Sequence, residues 1–198
     1  MFNEDNTLPK INIAVIGNAS VGKKSIIYRY MYPLNFIPRE KNHIFKFKHE
    51  NTTYQVKIYE QSLLSKMART KHSDHDDPNI DIVLVVYDIT DKKSFKDITF
   101  EWNNLIQDIL FRSHGVVCLV GNKIDLCDKE VVRQSKAMKM CFRFKYMYRR
   151  VCGLTGEGVE ELFNDMLYWY ITTRQRRCVR LINNRLNRNK KEKNSCMN

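Results

Sequence analysis

The sequence predicts an α/β sandwich, a mostly parallel sheet flanked by helices, and three observations predict it. A glycine-bounded loop from Gly17 to Ser25 (G-N-A-S-V-G-K-K-S) lies between an alternating apolar run and a helical run. Two near-continuous apolar runs, Ile80 to Tyr87 and Val116 to Val120, have the pattern of strands buried on both faces. After one early hairpin, segments of strand character alternate with segments of helical period. At 198 residues the chain suffices for one well-cored domain and a short extension.

In chain order, Ile11 to Ile16 reads as the first strand and Ile26 to Met31 as part of the first helix. Pro33 to Asn42 is a loop with two prolines. Ile44 to Lys48 and Tyr54 to Tyr59 each alternate apolar and polar, and Glu50 to Thr53 supplies a turn, so they read as an antiparallel hairpin. Gln61 to Asn79 is long and polar, with a short helix expected at Leu63 to Ala68. Ile80 to Tyr87 is the next strand. Phe95, Ile98, Trp102, Leu105, Ile106 and Ile109 fall at helical spacing within Phe95 to Phe111. Val116 to Val120 is a strand, Val131 to Phe142 a helix, Tyr146 to Val151 a weak strand and Val159 to Ile171 an amphipathic helix. No internal repeat is visible.

Strand, glycine-bounded loop and helix start, in that order, form the context of a phosphate-binding loop. Successive backbone N–H groups at Ala19, Ser20, Val21 and Gly22, with the helix N-terminus, make a nest of partial positive charge. Gly17 and Gly22 let the backbone turn, and Lys23 would reach the terminal phosphates. The motif then asks for Ser or Thr, whose hydroxyl binds Mg²⁺. That position is Lys24, followed by Ser25.

Composition narrows the class. The formal charge is +12, but Arg174 to Asn198 holds nine Lys/Arg against one Glu, so the tail carries +8 of it. The six cysteines (118, 127, 141, 152, 178 and 196) form no C-x-x-C pair and read as reduced thiols of a cytosolic protein. The first ten residues lack the apolar core of a signal peptide, and Phe2 stands where myristoylation needs Gly. No run approaches the ~18 apolar residues of a membrane span.

After the Val116–Val120 strand comes Gly121-Asn122-Lys123-Ile124-Asp125. An N-K-x-D at the carboxyl end of a buried strand lies where α/β folds bind ligands. With G-N-A-S-V-G-K-K-S, V-V-Y-D-I-T-D-K-K-S-F (85–95), G-N-K-I-D-L (121–126) and L-T-G-E-G-V-E-E-L-F (154–163), the chain resembles the Ras superfamily of small GTPases, and its Rab branch most closely. The resemblance spans about residues 10–173. It implies the P-loop NTPase small-GTPase fold with a six-stranded, mostly parallel sheet, and it divides the chain into an arm (1–9), a G domain (10–173) and a basic extension (174–198) that is partly helical or disordered.

The resemblance also implies a guanine site. Asp125 would accept two hydrogen bonds from the guanine N1–H and exocyclic amine, which adenine cannot offer, so the wrong base leaves the carboxylate unpaired. The Lys123 stem would cover the base face, and Asn122 would tie this loop to the phosphate loop. The third base-contacting motif appears as Cys152-Gly153-Leu154, where the Gly153 backbone N–H can still serve guanine O6.

Catalysis is where the pattern departs. Lys24 replaces the Mg²⁺-binding hydroxyl, and no Thr occurs between Thr7 and Thr52 to sense a γ-phosphate. D-x-x-G becomes Glu60-Gln61-Ser62-Leu63, and the water-orienting glutamine becomes Leu64. Phosphoryl transfer rests on positioning and charge stabilisation, so hydrolysis should be very slow or absent. The Lys24 ammonium either occupies the place of Mg²⁺ as a fixed cation, or points to solvent, or by crowding Lys23 favours an empty pocket.

The expected function is a Rab-like GTP/GDP-binding protein of vesicle traffic or signalling, cytoplasmic or at the cytosolic face of a membrane. Effector or regulatory proteins would act through the 33–49 and 60–79 loops. The alternatives are an active slow GTPase and a nucleotide-free scaffold. His72 to Asp77 has the makings of metal ligands but reads as a solvated loop, since nothing orients them. The aromatic and basic residues from Phe142 to Tyr148 read as a helix end entering an edge strand, and no nucleic acid is expected. Val179, Ile182 and Leu186 recur among Arg176, Arg177, Arg180, Arg185 and Arg188, a basic amphipathic pattern suited to an anionic membrane or to a solvated tail. Cys196, third from the end, is a lipidation candidate outside any C-a-a-X box.

Overall fold

The strand Lys10–Ile16 (β1) sends Ile11, Ile13 and Val15 to one face and Ala14 and Ile16 to the other, and all five are buried. A strand apolar on both faces needs a layer of helices on each, which decides the three-layer architecture. The structure is a computed structural model that describes residues 8–32, 43–60, 79–113 and 115–195. The expected loop at 33–42, the helix at Leu63 to Ala68, the residues Gln61, Ser62, Leu63 and Leu64, the His72–Asp77 cluster and Cys196 lie outside the described residues.

Helix α1 (Lys23–Met31) leads to the hairpin of β2 (His43–His49) and β3 (Thr52–Glu60), whose turn carries Glu50 at φ 51°. Then follow β4 (Ile82–Asp88), α2 (Lys92–Asp97), a π-turn (Ile98–Trp102), α3 (Asn103–Ser113) and β5 (Val116–Asn122). A 3₁₀ segment (Ile124–Lys129), α4 (Gln134–Phe144), β6 (Met147–Val151) and α5 (Val159–Ser195) complete the order. Among the described residues six strands run β2-β3-β1-β4-β5-β6, with only the β2–β3 pair antiparallel. Ile26 and Ile27 of α1 and Leu162, Phe163 and Met166 of α5 fill one face of the sheet. Phe95, Ile98, Ile106, Ala137 and Cys141, from α2, the π-turn, α3 and α4, fill the other.

The chain leaves β1 toward β3 on one side and returns to β4 on the other. The crevice at the carboxyl ends of these strands is therefore the topological switch point, where ligands of open α/β sheets bind.

Several boundaries differ from the sequence reading, and three of them have a clear cause. β5 extends through Gly121 and Asn122, because these residues stay in register with Tyr87 and Asp88 on one side and with Arg150 and Val151 on the other. The helix expected from Val131 starts at Gln134, since the N–H groups of Val131 and Val132 both donate to the Ile89 carbonyl (3.0 and 3.1 Å). The helix expected from Phe95 starts at Lys92, where the Asp91 side chain accepts from the N–H groups of Lys93 and Ser94, and it is interrupted by the π-turn.

The last helix is longest. No Gly or Pro interrupts Val159 to Ser195, and α5 passes the expected boundary at 173 without a break. It is anchored by the Tyr170 hydroxyl, which donates to the buried Asp81 carboxylate at the start of β4 and accepts from Arg174 Nη1 (2.8 Å). The Asn12 N–H also donates to Asp81 (2.9 Å). Burial pushes the Asp81 carboxyl above its usual pKa, opposed by the bonds from Tyr170 and Asn12 and by the Arg174 charge. An acid whose folded pKa is raised favours the fold below its unfolded value and loses that contribution as pH rises through the folded one. Tyr170→Phe raises that pKa further. Its expected cost is about 1–3 kcal/mol at pH 7, from a buried carboxylate short of a donor, and markedly less near pH 4. Urea melts at the two pH values check this, and an equal loss at both would assign the hydroxyl another role.

Candidate functional site

Beyond β1 the backbone turns through Gly17 at φ 139° and Gly22 at φ 92°. A Cβ on Gly17 would collide with the Val86 carbonyl oxygen, and one on Gly22 with the Asn122 amide nitrogen. Only glycine fits either place, for steric as well as conformational reasons. Between them Ala19 and Ser20 are exposed, Ser20 at φ 62°, while Val21 is buried beneath the loop. Gly22 caps α1, and its carbonyl accepts the Ile26 N–H (3.1 Å). This leaves the first N–H groups of α1 facing the crevice, the arrangement that binds phosphate.

Lys23 folds back across the loop, donating to the carbonyl oxygens of Gly17 (2.6 Å) and Asn18. Burial lowers its pKa, and the Glu60 charge at the end of β3 works in the opposite direction. Lys24 and Ser25 are exposed, and Lys24 makes no hydrogen bond or ion pair among the described residues. Its ammonium takes the place of a hydroxyl ligand and repels a cation. No group of three His, Cys, Asp or Glu side chains among the described residues could hold a metal ion. The phosphate loop places no hydroxyl directly after Lys23, where Mg²⁺ usually takes one.

The second cluster gathers at the ends of β5 and β6. Asn122 is buried, and its side-chain amide donates to the Val21 carbonyl (2.7 Å) while its side-chain oxygen accepts the Gly153 N–H (2.9 Å). One side chain thus fastens the phosphate loop, the carboxyl end of β5 and the 152–154 loop together. Lys123, at φ 68°, directs its ammonium to Asp88 (2.6 Å). Burial works against the Asp88 charge, but hydrogen bonds from Lys123 and Thr90 outweigh it and hold the carboxyl below its usual range. The exposed Asp125 accepts from the buried Cys152 thiol (2.9 Å), whose sulfur also receives the Thr155 N–H (3.3 Å). Leu154 extends into solvent, and its carbonyl accepts from Arg29.

The phosphate-loop residues and the Asn122, Lys123, Asp125, Cys152, Gly153 and Leu154 group therefore stand around one crevice. The Gly153 N–H, assigned from the sequence to a guanine carbonyl, has Asn122 as its partner in this geometry.

Comparison with known proteins decides the family. The Ras family model matches residues 12–170. The chain belongs to the Ras family. Ras-related protein Rab-1 of Theileria annulata is 29% identical over 168 residues, covering 78% of this chain and 71% of that protein. Ras-related protein Rab-1 of Theileria parva matches to the same extent. The mixed six-stranded sheet flanked by helices is the small-GTPase fold of this family, and guanine nucleotides are the ligands that membership implies.

Sequence reasoning gave no role to Asn18, Asp88, Asp97 or Trp102. Asp88 was within reach, since it lies in the V-V-Y-D-I-T-D stretch that carries the resemblance. Trp102 stands in the sequence only at helical spacing with its apolar neighbours, and nothing in the pattern of 95–109 marks the π-turn that it ends.

Proposed function

We propose that this Ras-family chain is a Rab-like guanine-nucleotide-binding protein that hydrolyses GTP very slowly or not at all and acts through partner proteins in vesicle traffic or signalling. The observation that carries nucleotide binding is the pair of hydrogen bonds of the Asn122 side chain, which donates to the Val21 carbonyl and accepts from the Gly153 N–H. It gives phosphate loop and base loops a fixed separation, as a ligand spanning both requires. The roles proposed are phosphate binding for Ala19 to Ser25, base stacking for Lys123 and guanine selection for Asp125. Lys24 supports the loss of hydrolysis, since the cation that would neutralise the transferring phosphoryl group lacks a ligand there.

The basic extension is proposed as a surface contact. Residues 174–195 continue α5 for about 33 Å at 1.5 Å per residue, and Arg174, Arg176, Arg177 and Arg180 lie on its exposed surface. An anionic membrane surface attracts such cations by about 1 kcal/mol each, with Cys196 available as an anchor. No helix among the described residues is long and apolar enough to cross a membrane. The segments 33–49 and 60–79 are the proposed effector-facing loops. A second reading, a slow but active switch, is favoured by Lys23 and Gly22, which remain as a working loop needs them.

The test is the nucleotide content of the purified protein, released by denaturation and separated by chromatography. Near-stoichiometric GTP supports the first reading and GDP favours the second. A chain that carries no nucleotide and takes up none is a scaffold that keeps only the fold.

A further inference from the structure

The phosphate loop has a support outside the residues described so far, and it comes from the irregular helix of the α2–α3 region. The Asn18 side chain, in the first turn of the loop, is held at both its atoms. Its nitrogen donates to Asp97 Oδ2 (2.6 Å), and its oxygen accepts from Trp102 Nε1 (3.0 Å). Asp97 is itself paired with Lys93 one turn earlier (2.6 Å), and bonds from Lys93 and then Asn18 hold its carboxyl below the usual range. A side-chain amide satisfied at nitrogen and oxygen by two rigidly placed partners has one orientation left.

The two partners are five residues apart, a spacing that the π-turn suits better than a regular α-helix. In an α-helix five residues advance about 500°, leaving the two side chains roughly 140° apart and unable to meet at one amide. In a π-turn the bonds run from residue i to i+5, and the wider turn brings residues five apart closer to one face than an α-helix does. The structure has its π-turn at Ile98–Trp102, with Asp97 at its N-cap and Trp102 as its last residue. The irregularity lies just where it aligns the two groups.

We infer that the π-turn, with Asp97 and Trp102, is a clamp that fixes Asn18, so that Trp102 and Asp97 are positioning residues for the phosphate-binding backbone of Gly17 to Gly22. This rests on the nucleotide reading above. The clamp acts at the end of the loop opposite Asn122, which holds Val21. Together they leave the N–H groups between them no freedom to turn away from a bound phosphate. No hydrogen bond among the described residues joins Asn18, Asp97 or Trp102 to residues 122–125 or 152–154, so the clamp is expected to act on phosphate binding more than on base binding.

The test uses the full chain, with GDP and GMP as probes. GMP carries the same base but lacks the β-phosphate that the loop cradles. Trp102→Phe removes the indole donor while keeping a ring, and Asn18→Ala removes the clamped side chain without touching the helix. Each is expected to raise the GDP dissociation rate about fivefold, the effect of one ordinary hydrogen bond, with GMP affinity changed less than twofold. The double variant should be no faster than either single one, because the residues act as a unit. Effects that multiply, or equal losses for GDP and GMP, would reduce Trp102 to a packing residue and overturn the inference. So would a GDP dissociation rate that neither substitution changes. If Trp102→Phe unfolds the chain, Asn18→Ala and Asp97→Asn alone must show the GDP-selective loss. A wild-type chain that binds neither probe overturns the nucleotide reading itself, and the clamp with it.

Discussion

Replacing Asp125 with alanine is expected to lower affinity for guanine nucleotides by roughly a hundredfold to ten-thousandfold while leaving adenine nucleotides as weakly bound as before. Two hydrogen bonds to a carboxylate are lost, each contributing about 1.5–3 kcal/mol, and tenfold in affinity corresponds to about 1.4 kcal/mol. The guanine N1–H and amine would then be buried without acceptors, whereas adenine never offered donors there. The only hydrogen bond to the Asp125 side chain among the described residues is the Cys152 thiol, and the residue is exposed. The unliganded chain should therefore keep its stability within about 0.5 kcal/mol, as for most surface substitutions. Equilibrium titration with GDP and ADP, beside a thermal melt, measures both. Equal losses for the two nucleotides would remove Asp125 from the recognition of guanine.

The second large effect concerns turnover and metal. With saturating Mg²⁺ and a single turnover of GTP, hydrolysis is expected below the roughly 10⁻⁴ per second of a slow family member acting alone. Lys24 lies at the start of α1, exposed and without a partner among the described residues, so its ammonium is free to meet phosphate oxygens as a fixed charge. EDTA is then expected to change GDP dissociation less than about twofold. In Lys24→Ser, which restores a hydroxyl, EDTA should accelerate it by at least about tenfold, equivalent to about 1.4 kcal/mol. Hydrolysis at the ordinary slow rate, abolished by Lys23→Ala, would give the protein to the active-switch reading. An EDTA effect as large in the wild type as in the variant would end the fixed-cation idea.

Much of the fold was legible because its signals are local. The β2–β3 hairpin announces itself through alternation around Glu50 and Asn51, and β4 and β5 through apolar runs that only a doubly covered strand can use. The phosphate loop and the N-K-x-D were legible for the same reason, since each needs its residue types at fixed spacing on one short segment. Boundaries that depend on long-range bonds were not legible. The true start of α4 is set by the Ile89 carbonyl more than forty residues earlier in the chain, and the length of β5 by its neighbours on both sides.

The sequence by itself determined that the chain makes a doubly covered, mostly parallel sheet, carries a glycine-bounded loop of phosphate-loop pattern with lysine where that pattern has a hydroxyl, and concentrates its charge in the tail. These follow from residue type and period, which act within a few turns of chain. Only the tertiary structure decided what holds the loop in place. Asn122 meets Val21 across 101 residues, Asn18 meets Trp102 across 84, and Tyr170 meets Asp81 across 89. Such bonds form because the packed sheet brings distant segments together and leaves each buried polar group to find its partner there. A π-turn adds one more such choice. The apolar spacing of 95–109 fits an unbroken α-helix equally well, and only the folded chain shows Asp97 and Trp102, on either side of the irregular turn, both bonded to Asn18.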